Sequence, residues 1–353
     1  MNVSYNKIVR TALPYLCLYT AIIVALSGCD SVGTNTDIQD IVEVRWQPDG
    51  SAIYGFMDKL TLTQYQTIPP ASYMITKFNS DGSFNKSIPT DQPAQSDISF
   101  SIYISPNASE LITQVGSDLY QITPATNAYS KIYEIFHLLV ASPDLHYAVG
   151  SISQSNHPIK TVVIADISVQ PARIVRQFDV AGIALEPGIW LNNGRFAITL
   201  QDSVKTHITI FDTTGATITA IAGAETAYHN TVYAPSSNTM YFRNQAQLKT
   251  DGSVDKINLT SMQRANVLPQ GVESFDVSQD EGMIVFNQYI YNSDSTTQTL
   301  TMFAKNLTTG NQSQVTNDVL SLAVLSPAAD RVAYIHQRDV NYNELFVKGI
   351  TRP

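Results

Sequence analysis

The sequence of 353 residues carries 21 basic and 30 acidic residues, which gives a net charge of −9 and a pI near 5.0. An acidic chain lacks the positive surface that nucleic-acid binding needs, so we expect no nucleic-acid partner. The length allows a large core in one or two domains. Only 14% of the residues are charged, which fits an exported β-protein with neutral polar faces.

Residues 1–28 have the pattern of an export signal. Lys7 and Arg10 precede an apolar stretch, 13–26, that is short for a membrane-spanning helix. The stretch ends in Leu26-Ser27-Gly28-Cys29, which resembles the signal of bacterial lipoproteins. The resemblance implies cleavage before Cys29, lipidation of Cys29 and a short polar tether over residues 29–37. An ordinary signal peptide or an uncleaved anchor is the alternative interpretation.

The cysteine count agrees with a lipoprotein. Cys17 lies in the segment that cleavage would remove, and Cys29 would carry the lipid, so the mature domain would have neither a thiol nor a disulfide. The mature chain would keep 19 basic and 30 acidic residues, a net charge of −11. Asp30 resembles the inner-membrane retention signal of enterobacterial lipoproteins. We therefore expect an anchor in the cell envelope facing the periplasm, with the inner membrane favoured.

One phrase recurs through the rest of the chain and predicts an array of similar units. It consists of an apolar strand, a tight turn that often reads Ser-Pro-Asp or Ser-Pro-Asn, and a second apolar strand. Successive turns lie 37–58 residues apart, and strand patterns alone lie between them, which is typical of a propeller. The turn markers are Pro48, Pro106, Pro143, Asn192, Pro235, Gln279 and Pro327.

The second half of each unit repeats as well. A third strand, a Gly- or Asp-containing hairpin turn and a fourth strand follow, for example at the turns 79–83 and 250–253. Four strands per unit match a propeller blade. The prediction is an all-β fold: a single domain over 38–353, forming a seven-bladed β-propeller with four-stranded antiparallel blades. The last unit lacks a fourth strand, and residues 37–40 are expected to supply it, pairing the two chain ends and closing the ring.

The repeat resembles the PD40 repeat of TolB-like propellers, a WD40-like repeat. The likeness rests on the Ser-Pro-Asp/Asn turn, the apolar strand after it and the Asp-Gly turn of the second hairpin, and it covers about residues 40–353. It implies the fold rather than a function. The Gly-His and Trp-Asp signatures of WD40 repeats themselves are absent from the sequence.

The sequence contains no Gly-x-Ser-x-Gly elbow, Gly-rich phosphate loop or His-Glu-x-x-His. One register position does repeat polar residues. Six residues before the turn markers stand His137, Glu186, His229 and Glu273, in four consecutive units. These positions would ring the mouth of a central channel, where imidazole and carboxylate together can hold a divalent metal. We favour the alternative, a polar mouth that binds water or a partner's side chain, and expect no cofactor.

The loops between second and third strands in units six, seven and one would be neighbours around a closed ring. Tyrosine and arginine favour protein contacts, although exposed tyrosine is common in a chain with 18 of them. The candidate partner-binding residues are Tyr65, Tyr289, Tyr291, Arg338 and Tyr342.

We therefore expect a monomeric, non-catalytic binder of an envelope protein or peptide. The alternative is a metal-dependent lyase or hydrolase acting on polysaccharide at the channel mouth. Oligogalacturonate lyases are similar propellers with a His-ligated metal, although their ligand pattern is not matched here.

Overall fold

The computed structural model describes residues 36–62, 72–93, 102–115, 118–134, 136–152, 159–202, 206–222, 231–244, 252–291, 298–317, 319, 321–339 and 342–353. Within these ranges the regular secondary structure is entirely β, which confirms the all-β part of the prediction. No helix of the described part is long and apolar enough to cross a membrane. The predicted signal peptide, Cys29 and the tether up to residue 35 lie outside the described residues.

Consecutive strands pair antiparallel in groups that follow chain order. The first group is β1 (Thr36–Trp46), β2 (Ala52–Leu62), β3 (Ser72–Asn79) and β4 (Phe84–Pro93). The second is β5 (Ile102–Ile104), β6 (Leu111–Val115), β7 (Asp118–Thr123) and β8 (Ala128–Tyr133). The next sheet contains β9 (His137–Ala141), β10 (Tyr147–Ser151), β11 (Ile159–Asp166), β12 (Arg173–Leu191), β13 (Arg195–Gln201), β14 (Thr206–Asp212) and β15 (Thr217–Ala222).

A further sheet contains β16 (Thr231–Ala234), β17 (Thr239–Asn244), β18 (Gly252–Asn258), β19 (Arg264–Val277), β20 (Met283–Tyr291), β21 (Gln298–Asn306) and β22 (Gln312–Thr316). The last strands are β23 (Ser321–Leu325), β24 (Arg331–Asp339) and β25 (Tyr342–Gly349). They share a sheet with the first group, in the order β23-β24-β25-β1-β2-β3-β4.

Two long strands each serve two groups. The first half of β12 pairs with β11, and its second half pairs with β13. β19 divides in the same way between β18 and β20. A glycine with positive φ lies between the halves of each strand, Gly182 at 136° and Gly271 at 103°. Since side chains rarely tolerate that backbone region, glycine allows the strand to change partners there.

The recurring Ser-Pro-Asp phrase folds as a tight turn held by its serine. The Ser142 hydroxyl donates to Asp144 Oδ1 at 2.6 Å, and its oxygen accepts from the backbone N–H groups of His146 at 3.0 Å and Tyr147 at 2.9 Å. Ser105, Ser278 and Ser326 make related contacts at their own turns. The serine thereby satisfies backbone groups that the turn removes from the strand ladder.

One predicted hairpin is confirmed and another is wrong. Residues 79–83 form the turn between β3 and β4, closed by the Asn79 N–H donating to the Ser83 carbonyl at 2.8 Å. At 250–253, in contrast, Gly252 and Ser253 already belong to β18, and Ser253 pairs with Asn244. The turn follows at Asn258, whose Oδ1 accepts from two backbone N–H groups at 2.9–3.0 Å. An asparagine side chain thus makes a turn that the Asp-Gly pattern did not indicate.

Residues 37–40 agree with the prediction only in part, since they lie beside the last strand but are bridged to it at one point. They extend β1 and pair antiparallel with Asp58–Thr61 of β2. Their contact with β25 is one parallel bridge, Gln39 to Tyr342. β1 therefore lies between β25 and β2 in the sheet, paired with β2 along its length and with β25 by that single bridge.

Buried side chains fill the spaces between consecutive groups. One cluster joins β2 and β3 to β6 and β7 through residues such as Phe56 and Leu111. Another joins the first and last groups, packing Trp46 and Ile53 against Ala333 and Ile335. The first and last groups are therefore in contact mainly through side chains.

Arg331 strengthens this contact between the chain's two ends. Its guanidinium lies over the Trp46 ring, 5.1 Å from the centroid. Nη1 donates to the Ser80 carbonyl at 2.9 Å and Nη2 to the Gly50 carbonyl at 3.3 Å. One side chain on β24 thus binds two turns of the first group.

We expect Arg331→Ala to lower the free energy of unfolding by about 1–2 kcal/mol, because a cation–π contact and two hydrogen bonds are lost together. Urea unfolding measures the change. Arg176→Ala, which truncates an exposed arginine on β12, is the control and should change stability by less than about 0.5 kcal/mol. Equal effects of the two substitutions would contradict a special role for Arg331.

Candidate functional site: the central cavity

The first strands of the groups converge on a cavity of about 600 Å³. It opens where these strands end at their tight turns. Residues at one equivalent position, three before each turn marker, line it in every case. They are Arg45, Tyr103, Val140, Ile189, Val232, Asp276 and Val324.

A polar arc begins at β1. The Arg45 side chain is 48% exposed, and its Nε donates to Glu43 Oε1 at 2.8 Å. Glu43 lies two residues earlier on the same face of the strand, and its side chain is 2% exposed. Among the described residues no hydrogen-bond partner reaches its second oxygen, Oε2. Burial raises the pKa of Glu43, although Arg45 opposes that rise.

Asp276 on β19 continues the polar arc. Its Oδ2 accepts from the Leu325 N–H at 2.8 Å and its Oδ1 from the Val277 N–H at 2.8 Å. Burial raises the pKa of Asp276 to about 6, against the lowering effect of these two N–H groups and of Arg45. Although burial lowers the pKa of Arg45, the charge of Glu43 and the hydrogen bond to it hold the pKa above its usual value.

The opposite arc is apolar. Val140, Ile189 and Val232 occupy, on their own strands, the position that Arg45 and Asp276 occupy on theirs. Trp190 lines the same side and stacks on Tyr147, with centroids 6.4 Å apart and planes 3° apart. Gly188 allows Val140 and Ile198 to pack closely against the backbone, since an added Cβ would lie 3.3 Å from Val140 Cγ1 and 2.9 Å from Ile198 Cγ2. The cavity can therefore hold a ligand with one apolar and one charged side.

The structure describes two side chains of the predicted polar ring. His137 Nδ1 lies 3.0 Å from Gln114 Nε2, and Glu273 Oε2 lies 3.7 Å from Arg243 Nη2. Gln114 and Arg243 occupy equivalent positions on second strands of the preceding groups, eight residues after the turn markers Pro106 and Pro235. These two members of the ring thus contact neighbouring groups of strands.

The rest of the ring stays a prediction. Glu186 belongs to β12, but its side chain is not described, and His229 lies outside the described residues. The described residues include no group of three His, Cys, Asp or Glu side chains that could hold a metal ion.

The candidate partner loops also stay a prediction. Tyr289 is 41% exposed at the end of β20, beside Ile290 at 39%. Tyr291, Arg338 and Tyr342 lie in strands, but their side chains are outside the description, and Tyr65 is outside the described residues.

The cavity residues Arg45, Tyr103 and Asp276 were missed by the sequence analysis. Their signal was present, because counting back three residues from the turn markers, rather than six, selects them. An odd change in the count selects the opposite face of a regular strand. The six-residue count therefore selected a register different from the one that lines the cavity.

No family model matches the chain, and a search of curated proteins found no match either. Solved structures do match. An oligogalacturonate lyase in complex with manganese has 12% identity and a TM-score of 0.63, with 90% of this chain and 91% of that chain covered. The oligogalacturonate lyase from Vibrio parahaemolyticus has 13% identity and a TM-score of 0.62, covering 90% and 97%.

The β-propeller domain of the trilobed protease from Pyrococcus furiosus has 11% identity and a TM-score of 0.57, covering 88% of this chain and 95% of that one. At such identities these matches carry the fold alone. The chain is an all-β protein of antiparallel sheets with a β-propeller-like fold.

Proposed function

We propose that this chain is a non-catalytic binding protein of the bacterial cell envelope, anchored by a lipid on Cys29, that receives a segment of a partner protein or peptide in its central cavity. The cavity is the observation that carries this proposal. Its volume of about 600 Å³ is in the range of ligand pockets. Its wall combines an apolar arc with a small number of polar side chains, which is the usual composition of a binding site.

We further propose that the ring has seven blades and is closed. In this arrangement the second halves of β12 and β19 are inner strands, and each inner strand contributes to the cavity. Buried clusters between consecutive groups support the arrangement, together with the one that joins Trp46 to Ala333. Closure would depend on these side chains, on Arg331 and on the bridge from Gln39 to Tyr342.

Photocrosslinking in cells tests the binding function. A photoreactive amino acid replaces Gln279, which is exposed and lines the cavity. The same amino acid at Phe84, which is 64% exposed on β4, is the control. We expect a discrete adduct from position 279 that is absent from position 84 and is lost when Val232→Trp fills the cavity. Adducts of equal pattern from both positions, or an adduct insensitive to Val232→Trp, would overturn the proposal.

The lipid anchor gives a separate prediction. We expect Cys29→Ser to abolish lipidation, so that mass spectrometry of the N-terminal peptide finds no acyl chains and the protein leaves the membrane fraction. The physical reason is that the serine hydroxyl cannot take the thioether that links the lipid to cysteine. Cys17→Ser, in the segment predicted to be removed, should leave the mature protein unchanged. Membrane retention of the Cys29→Ser protein would point instead to an uncleaved anchor.

The alternative function is a metal-dependent lyase or hydrolase acting on polysaccharide. Its support is the fold likeness to oligogalacturonate lyases, one of them in complex with manganese. Elemental analysis of the purified protein beside a His137→Ala/His229→Ala variant tests it. Stoichiometric metal that is lost in the variant would favour the alternative, whereas equal metal content in both proteins would exclude the predicted ring as the metal site.

A further inference from the structure

We infer that the central cavity selects a cationic side chain, the ammonium or guanidinium of a lysine or arginine in the partner, and holds it at Asp276. The inference rests on the proposed binding function and names the chemistry of the segment that is bound. It depends on the distribution of charge around the cavity, on the state of Asp276 and on the shape of the apolar wall.

The charges of the cavity do not balance. The positive charge of Arg45 is already paired with Glu43, at 2.8 Å between Nε and Oε1. Asp276 accepts hydrogen bonds from backbone N–H groups, and no ion pair within 4.0 Å is found for it among the described residues. Arg45 acts on it only as a more distant charge. Because the charge of Arg45 is paired with Glu43, an ionised Asp276 leaves a negative charge on the cavity wall that no described ion pair within 4.0 Å balances.

Asp276 is also prepared to accept a further donor. Each carboxylate oxygen can accept two hydrogen bonds. Each oxygen of Asp276 accepts only one from a described N–H group, so each can accept another. The pKa of about 6 means that burial disfavours the ionised form. An arriving cation would relieve that cost, because an opposite charge stabilises a desolvated carboxylate. An arriving carboxylate would meet the charge of Asp276, and like charges at close range disfavour binding.

The walls fit a long basic side chain. Lysine and arginine carry an apolar stem that packs on apolar surface while the charged head stays at a polar site. Val140, Ile189 and Val232 offer such a surface on three consecutive first strands, with Trp190 and Tyr233 beside them. The expected mature charge of −11 would in addition attract a basic partner.

A titration with small probes tests the inference on the full mature protein in an uncharged detergent. The probe is acetyl-lysine methylamide. The matched controls are the norleucine derivative, which keeps the stem without the ammonium, and the glutamate derivative. Intrinsic fluorescence reports binding directly, since the chain has two tryptophans, Trp46 and Trp190, and both line the cavity.

We expect the lysine probe to bind at least about tenfold more tightly than the norleucine probe at pH 7.5, and Asp276→Asn to reduce that preference to about twofold or less. The control variant Glu134→Gln changes an exposed carboxylate on the molecule's surface and should keep the full preference. Between pH 7 and pH 5 the preference should fall about tenfold, because most Asp276 carboxylates become protonated.

The other groups near Asp276 do not titrate in that way. Arg45 stays charged and Tyr233 on β16 stays neutral over this pH range, because the pKa of each lies above its usual value. Tyr103 on β5 also lines the cavity. Glu43 does not line the cavity, but it accepts a hydrogen bond from Arg45, which does, so Glu43→Gln tests its share of the pH dependence. β23 contributes apolar side chains, Ala323 and Val324, to the wall.

Three results would overturn the inference: equal binding of lysine and norleucine probes, tightest binding of the glutamate probe, or a preference for lysine that Asp276→Asn leaves intact. These results are distinct from a failure of the proposed function. A partner held by other chemistry would still give the Gln279 crosslink, whereas loss of that crosslink would contradict the proposed function whatever the probes do.

Discussion

Gly150→Ala is expected to destabilise the protein by at least about 3 kcal/mol. Gly150 lies in the middle of β10, which pairs with β9 on one side and β11 on the other. An added Cβ would overlap the carbonyl oxygen of His137 and would stand 2.5 Å from Cε1 of Phe136. Neither neighbour can yield easily, because the carbonyl belongs to a paired strand and the phenylalanine is fully buried.

The register of the two strands explains this close approach. The pairing of β10 with β9 shifts between Val149 and Gly150, so the backbone of β9 passes directly over the glycine. β9 also carries Val140, part of the apolar wall of the cavity. The expected damage therefore reaches the binding site, and the Trp190 fluorescence of the variant should change along with its stability.

Urea unfolding of Gly150→Ala beside Gly349→Ala measures the effect. Gly349 lies at the end of β25, and an added Cβ there would meet no atom within 4 Å. Both substitutions remove the same backbone freedom from the unfolded chain, so their difference isolates the overlap at β9. A loss of less than about 1 kcal/mol in Gly150→Ala would show that β9 can move away.

The sequence predicted the repeat better than it predicted the connections between units. The Ser-Pro-Asp turns were found because their hydrogen bonds are local: Ser142 and Asp144 accept from backbone N–H groups within five residues. β12 and β19 were harder to foresee, since no turn marks the point where one group ends and the next begins. Gly182 and Gly271 are the corresponding signals, and their role depends on backbone angles that a single glycine in a strand pattern does not reveal.

The cavity shows the same limit. Arg45 and Asp276 are 231 residues apart in sequence, and neither lies in a recognisable motif. Their relation depends on which residue of each inner strand faces the axis, and an odd error in register selects the opposite face. The ring of His137 and Glu273 was derived from the same turns with a count of six, and its two described side chains contact Gln114 and Arg243. The period of the repeat was therefore predictable from the sequence. Which residues of the inner strands face the cavity was known only from the structure.

Asp276 should make the stability of the protein fall as the pH rises through about 6. Burial raises the pKa of this carboxyl from 3.8 to about 6 in the folded state. Between these values the folded protein holds a proton that the unfolded chain has released, so low pH favours folding. Above pH 6 the folded protein must keep a desolvated charge, and the full difference corresponds to about 3 kcal/mol.

Asp276→Asn removes this titration while keeping the size of the side chain. The amide has one accepting oxygen for the N–H groups of Val277 and Leu325, so the variant carries a constant loss. That loss does not change with pH, so it does not affect the pH dependence of the stability difference. We expect the stability of the variant minus that of the wild type to grow by about 2.5 kcal/mol from pH 4 to pH 8, measured by urea unfolding. In Glu134→Gln the sign should be reversed, because Lys131 lowers the pKa of Glu134. A flat difference for Asp276→Asn would mean that its carboxylate is well solvated.

The cost of ionised Asp276 is connected to binding. A group that destabilises the folded protein when charged gains most from a ligand that neutralises the charge, and a ligand that binds only the folded state adds to its stability. Saturating lysine probe should therefore raise the stability of the wild type above pH 6 and have little effect at pH 4, where Asp276 is protonated. In Asp276→Asn the probe should have little effect at either pH. The range in which Asp276 weakens the fold is then the range in which it can hold a cation.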